Sequence, residues 1–141
     1  MERKGSAVWN GGLKDGKGVV STSSGALKEV PYTFSMRFED APGTNPEELV
    51  AAAHAGCFSM AFSGQLGAVN LKAERIATTA TVTIVKEDIG FTVTAVHLDV
   101  RAKVPGANRE AFDTAATNAK NGCPISRLLK AKITMTATLE S

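Results

Sequence analysis

The sequence predicts an α+β fold built on antiparallel sheet, and three features carry that prediction. Apolar and polar residues alternate at period two in several separate segments, the pattern of strands with one apolar face. One long run, residues 46–66, opens with helix-start chemistry and stays apolar nearly all round. A second helical pattern, residues 108–121, follows a long hairpin.

Taken in order, the first forty residues read as a β-meander. Strands are expected over 6–9 and 18–22, with turns at Asn10-Gly11-Gly12 and near Ser24-Gly25. Tyr32, Phe34, Met36 and Phe38 alternate with Thr33, Ser35, Arg37 and Glu39, so residues 32–39 are expected to form a strand with Arg37 on its polar side. After the loop 40–44, Asn45 is the expected N-cap, Pro46 the first helical residue, and Glu47 and Glu48 the first-turn acids; Glu48 is placed for a capping box. The body of that helix, including Ala51, Ala52, Ala53, Gly56, Cys57 and Phe58, predicts an element covered on every side, with a second subunit as part of the cover.

Residues 76–85 and 91–104 form a predicted hairpin turning at Glu87 to Gly90. A shift in the apolar register of its second arm predicts a β-bulge near Ala95. Asn108 caps the second helix and Gly122 stops it. Cys123 then takes the N-cap position of a short helix over 124–130, and residues 132–139 close the chain as a strand. With no linker or internal repeat, residues 1–141 are expected to be a single domain.

Composition excludes several classes of function. At 43% hydrophobic and 21% charged the chain is expected to be an ordinary soluble globular protein. The basic N-terminus is followed by no apolar run, so no secretory signal is expected and the address should be cytoplasmic. The apolar stretch 49–62 is shorter than the roughly 20 residues of a membrane span. A net charge of +2 without a basic cluster offers nothing to nucleic acid or an anionic membrane, which leaves a small-molecule partner.

The chain has two cysteines, Cys57 and Cys123. In a reducing compartment such a pair is more often redox-active than structural. A thiol with an ordinary pKa of about 8.5 is mostly protonated at neutral pH, and Cys57 lies too deep in its helix to use the terminal dipole. It needs a cation. Arg37 is the candidate, with Glu47 holding the guanidinium by bidentate hydrogen bonds. Glu47 and Cys57, ten residues apart, would be separated by about 15 Å along one helix. Two such helices packed antiparallel about a twofold axis would let Glu47 of one protomer approach Cys57 of the other, which predicts an obligate dimer with shared active sites.

As N-cap before Pro124, Cys123 is expected to set its sulfur by free backbone N–H groups, suiting a resolving role. An oxidised Cys57 sulfenic acid would condense with it, provided the two Cα atoms come within about 7 Å. The plainer readings are buried inert thiols, a solvated Arg37 and first-turn charges at Glu47 and Glu48. His54, three residues before Cys57, permits a Cys–His acyl-transfer nucleophile, though no third group is evident to orient it. A zinc site from His54, Cys57, His97 and Cys123 lacks the short Cys-x-x-Cys spacings of structural zinc, so neither metal nor cofactor is expected.

Three ordered segments now point to a family. Gly43-Thr44-Asn45-Pro46-Glu47-Glu48-Leu49, the run from Ala52 to Ala61 around His54-Ala55-Gly56-Cys57-Phe58, and Ala119-Lys120-Asn121-Gly122-Cys123-Pro124-Ile125-Ser126 resemble the OsmC/Ohr family, over essentially the whole chain. The resemblance implies an intertwined homodimer, its antiparallel β-sheets wrapped around central helices and its active sites at the interface. It also implies a thiol-dependent peroxidase acting on organic hydroperoxides and hydrogen peroxide, with Cys57 peroxidatic, Cys123 resolving and a dithiol reductant of lipoyl type. The Arg37-Phe38-Glu39 segment and the Ala53-His54-Ala55 helix look like the OsmC branch. Where the Ohr branch carries an arginine in its early glycine-rich loop, this chain has Lys14 and Lys17, which makes Arg37 the stronger candidate cation. Phe58, Met60 and Phe62 are candidates for lining an apolar approach, with core packing the plainer role. The rival from another class is a noncatalytic redox-sensing or ligand-binding dimer.

Overall fold

A computed structural model describes residues Met1–Ser141. Its contacts divide into two compact units, Met1–Leu49 and Val50–Ser141.

In the first unit, β1 (Gly5–Asn10), β2 (Lys17–Thr22) and β3 (Val30–Tyr32) form an antiparallel sheet in the order β1-β2-β3. Gly11 at φ 93° turns the first hairpin and Gly25 at φ 78° the second, backbone angles that glycine adopts without steric cost. In register, Gly18 sits between Trp9 and Tyr32, whose rings meet above it with centroids 5.3 Å apart. A Cβ on Gly18 would stand 2.5 Å from the Tyr32 ring and 2.6 Å from that of Trp9, so the aromatic contact requires glycine there.

The strand expected over 32–39 is corrected: after Tyr32 the chain forms a short helix, α1 (Phe34–Phe38). Thr33 caps it by accepting from Met36 N, and the Phe34 and Phe38 rings meet one turn apart, tilted at 51° with centroids 5.0 Å apart. Phe34 and Phe38, four apart, share a face in a helix and in a strand alike, while Met36, two away from each, lies against Gly43 instead, so the period-two pattern gives way to the locally capped turn. The helix ends where the Glu39 N–H donates to Ser35 O. Asn45 then caps the long helix α2 (Pro46–Gly67), its Oδ1 accepting from Glu48 N at 2.8 Å while its Nδ2 donates to Met36 O.

In the second unit, α2 buries His54, Phe58, Phe62 and Leu66, an i, i+4 stripe. This stripe joins a core with Val96, Leu98, Val100 and Ala102 of β5 and with Phe112, Ala115, Ala116 and Ala119 of α3. Phe62 is at the centre, 5.7 Å from Phe58 and edge-on to Phe112 at 5.3 Å. The other face of α2 is open within the chain: Ala52, Ala53, Gly56, Gly64 and Gly67 are exposed, and Met60 is 81% exposed. The cover expected on every side is therefore one-sided here. By length and composition alone α2 is also apolar enough to cross a membrane, as the core helix of a soluble protein can be.

β4 (Arg75–Glu87) and β5 (Gly90–Lys103) form the hairpin, turning through Asp88-Ile89 with Gly90 at φ 130°. Its register shifts between Thr83, opposite Ala95, and Ile84, opposite Val93, so the bulge falls at Thr94. Asn108 caps α3 (Arg109–Gly122), accepting from Ala111 N. Cys123 precedes α4 (Pro124–Leu128), and β6 (Lys132–Glu140) completes the sheet β4-β5-β6. β6 runs parallel to β5, so antiparallel pairing is not the rule throughout. The crossover through α3 and α4 brings the chain back to the starting end, which a parallel partner requires.

Candidate active site

In the Val50–Ser141 unit the two cysteines meet. Cys57 lies beside the buried stripe of α2, half-buried, and Cys123 is fully buried at the junction of α3 and α4. The junction is held by the Cys123 N–H donating to Ala119 O at 2.9 Å and by Arg127 N donating to Cys123 O at 3.1 Å. Both thiols are free, and Cys123 Sγ donates to Cys57 Sγ at 2.8 Å. Residues 66 positions apart are thus brought within reach of a bond, so oxidation of one sulfur would present it to the other with little motion.

Burial pushes the Cys57 thiol above its ordinary pKa, and the bond from Cys123 adds to that, while a hydrogen bond from the Ile125 backbone N–H pulls the other way. This corrects the expected place of the α4 amides. The sulfur of Cys123 makes no cap bond, because its side chain turns toward α2. A first-turn amide of α4 serves Cys57 instead. No cation of this unit is among the groups that act on Cys57.

His54 turns Nε2 to Ser126 Oγ, sharing a hydrogen bond of 2.7 Å, rather than toward the sulfur. Its Nδ1 is buried without a partner, and burial lowers its pKa, so the ring is neutral at pH 7. Two residues beyond Cys57, Ser59 shares a 2.7 Å bond with Thr78 of β4. His97, weighed as a zinc ligand, is occupied on the sheet by Thr134 and Thr136 at 2.7 and 3.2 Å. Phe58 and Phe62 are core residues rather than pocket lining.

In the Met1–Leu49 unit Arg37 and Glu47 meet. Arg37 Nε donates to both Glu47 carboxylate oxygens, at 3.2 and 3.1 Å, and Nη2 donates to Oε1 at 2.7 Å. The guanidinium also lies 4.9 Å from the centre of the Phe38 ring. Arg37 is in the last turn of α1, where the helix dipole favours a cation, and Glu47 in the first turn of α2, where it favours an anion. Glu48 is exposed and serves the cap through its N–H, and Lys14 and Lys17 are exposed.

Beside Arg37 opens a pocket of about 230 Å³, walled by Trp9, Leu13, Tyr32, Phe34 and Phe38. This pocket has no counterpart in the strand that the alternation over 32–39 predicts, because it is walled by the two rings of α1. Ser126 stands in the family segment 119–126 with no role its residue type announces, and the Ile125 amide is one of the α4 donors expected beside Cys123 that serves Cys57 instead.

The sequence model of the OsmC-like protein family matches residues 38–138. The chain is 49% identical over 141 residues to Peroxiredoxin OsmC of Escherichia coli (strain K12), covering 100% of this chain and 99% of the relative. It is 32% identical over 98 residues to the Organic hydroperoxide resistance protein of Xanthomonas axonopodis pv. citri (strain 306), covering 69% and 67%. Among solved structures, the OsmC-like protein from Mycoplasma pneumoniae superposes with a TM-score of 0.78 at 15% identity, over 100% of this chain and 99% of the other, a likeness of fold. With a family match over most of its length and a full-length relative at nearly half identity, the chain belongs to the OsmC family.

Proposed function

We propose that this chain is a thiol-dependent peroxidase, a peroxiredoxin of the OsmC branch that reduces organic hydroperoxides, and hydrogen peroxide, in defence against oxidants. The observation that carries the reading is the 2.8 Å approach of two free thiols, and full-length likeness to a peroxiredoxin supports it. Cys57 thiolate attacks the terminal peroxide oxygen. The O–O bond breaks, the alkoxide takes a proton and leaves as alcohol, and Cys57 becomes a sulfenic acid. Cys123 then attacks that sulfur: the S–S bond forms, the S–OH bond breaks, and the thiol proton leaves with hydroxide as water. An external dithiol, of lipoyl type, reduces the disulfide and restores both thiols.

A thiol pushed upward by burial needs help to ionise. We assign that help to Arg37, oriented by Glu47 and acting across a homodimer, in preference to Lys14, Lys17 or Glu48. The open, small-residue face of α2 supports a second copy as its cover. The working unit in this reading is a cytoplasmic homodimer of single 141-residue domains.

The test is turnover of cumene hydroperoxide and hydrogen peroxide with excess dihydrolipoamide. Cys57→Ser abolishes turnover, and Cys123→Ser permits one oxidation and then accumulates Cys57 as sulfenic acid or a mixed disulfide. Full turnover by the Cys57→Ser protein would end the proposal. Stoichiometric peroxide loss without turnover in the unaltered protein would favour a sensor.

A further inference from the structure

We propose that His54 and Ser126 are positioning residues for the resolving step, clamping α4 to α2 so that Cys123 stays within bonding reach of Cys57. The inference rests on the peroxidase reading above. His54 precedes Cys57 by three residues on α2, and Ser126 follows Cys123 by three at the start of α4. Residues three apart on a helix stand on one face, one turn apart. The His54–Ser126 bond at 2.7 Å and the Cys123–Cys57 bond at 2.8 Å are therefore neighbouring rungs across the same gap.

The second rung matters because α4 has little else to hold it. At five residues, Pro124–Leu128, it is too short to persist by its own backbone bonds, and Leu128 is exposed. Its polar ties to α2 are the Cys123 thiol and the Ile125 amide, which both reach Cys57, and the Ser126 hydroxyl, which reaches His54. The first two end on the sulfur that changes at each step of the cycle. The third does not change with oxidation state, so it is the tie that persists once Cys57 has become a sulfenic acid.

The tautomer follows from the unpartnered nitrogen. If Ser126 donated to Nε2, the ring proton would sit on Nδ1, a buried donor facing no acceptor. With Nε2–H donating to Ser126 Oγ, Nδ1 is left as a bare acceptor, the smaller penalty. A fully buried imidazole is a costly way to make one hydrogen bond unless the bond has to be held rigidly in place.

The experiment adds one equivalent of cumene hydroperoxide to the reduced, full-length protein and follows two phases. Cys57 sulfenic acid is trapped with dimedone, and the Cys57–Cys123 disulfide is quantified by mass spectrometry of non-reduced peptides. Ser126→Ala is expected to leave the first phase within about twofold and slow the second about fivefold to tenfold, the worth of one hydrogen bond. Excess peroxide should then raise the sulfinic form of Cys57. Ser126→Thr, which keeps the hydroxyl, restores the second phase. His54→Gln, whose amide nitrogen reaches about the place of Nε2, retains more of it than His54→Ala. A merely structural role would shift the unfolding midpoint and both phases together, without rescue by threonine, and would overturn the inference, as would an Ser126→Ala protein that resolves at the unaltered rate. An unaltered protein that forms neither sulfenic acid nor disulfide overturns the peroxidase reading itself, and this inference with it.

Discussion

Replacing Glu47 by glutamine keeps the shape of the side chain and deletes its charge. Three contacts are at stake: Nε to each carboxylate oxygen at 3.2 and 3.1 Å, and Nη2 to Oε1 at 2.7 Å. Glutamine offers one acceptor oxygen, so the two bonds to Oε1 survive with a neutral acceptor. The third becomes an N–H facing an N–H, and the side chain must rotate. Charge-assisted bonds are worth about 1.5–3 kcal/mol where water is excluded. Arg37 is 37% exposed and Glu47 14%, so solvent screening brings the loss to about 1 kcal/mol. That lowers the occupancy of the held guanidinium about fivefold. If Arg37 stabilises the Cys57 thiolate, Glu47→Gln raises the midpoint of the pH profile for alkylation of Cys57 by roughly 0.7 unit and slows peroxide consumption about fivefold at neutral pH. Arg37→Ala removes the cation and moves the midpoint up by about 1–3 units, toward the raised value that burial and Cys123 impose. The assay is the rate of iodoacetamide alkylation across roughly pH 5 to 10, paired with rapid-mixing peroxide kinetics. If both variants keep the unaltered midpoint, Arg37 does not serve Cys57 and the cation assignment fails.

Phe62→Ala removes a fully buried ring from between Phe58 and Phe112 and is expected to cost about 3–5 kcal/mol in chemical denaturation; a loss below about 1 kcal/mol would contradict the packing described. Gly18→Ala places a methyl against the rings of Trp9 and Tyr32, with a stability loss of about 1–3 kcal/mol and an altered near-ultraviolet circular dichroism from the single tryptophan; an unchanged spectrum would refute the contact. His54 has a folded-state pKa below its ordinary 6.5, so as pH falls beneath that value the unfolded chain binds the extra proton and stability declines, by up to about 1.4 kcal/mol per pH unit until the folded-state pKa is passed. His54→Gln should remove that contribution to the slope between pH 7 and the acid limb, and an unchanged slope would show that the ring is not buried neutral.

The parts of the fold legible in advance were those whose chemistry is local. Asn45 and Asn108 cap their helices through side-chain oxygens, and the slip in apolar register near Ala95 corresponds to a real shift in pairing. What was illegible had more than one physical solution. The Phe34 and Phe38 rings meet at a tilt in α1, yet the same spacing also lines one face of a strand. The threonine alternation of β6 fixes which side chains face inward and says nothing of strand direction, so its parallel pairing with β5 could not be read. In the candidate site, residue types pointed to two pairs, Cys57 with Cys123 and Arg37 with Glu47, and the members of each pair are in contact. Backbone donors such as Ile125 N–H leave no residue-type trace, and the pocket over Trp9 and Tyr32 depends on register across Gly18.

The span from Cys57 to Cys123, 66 positions apart, holds the whole β4–β5 hairpin and α3. A covalent bond between the two sulfurs would tie that span into a ring and strip the denatured chain of about 4 kcal/mol of loop freedom, by the chain-entropy relation. Each catalytic cycle would therefore pass the protein between a tauter and a looser form of one architecture. A melting curve would then report how much of a sample had lately met oxidant.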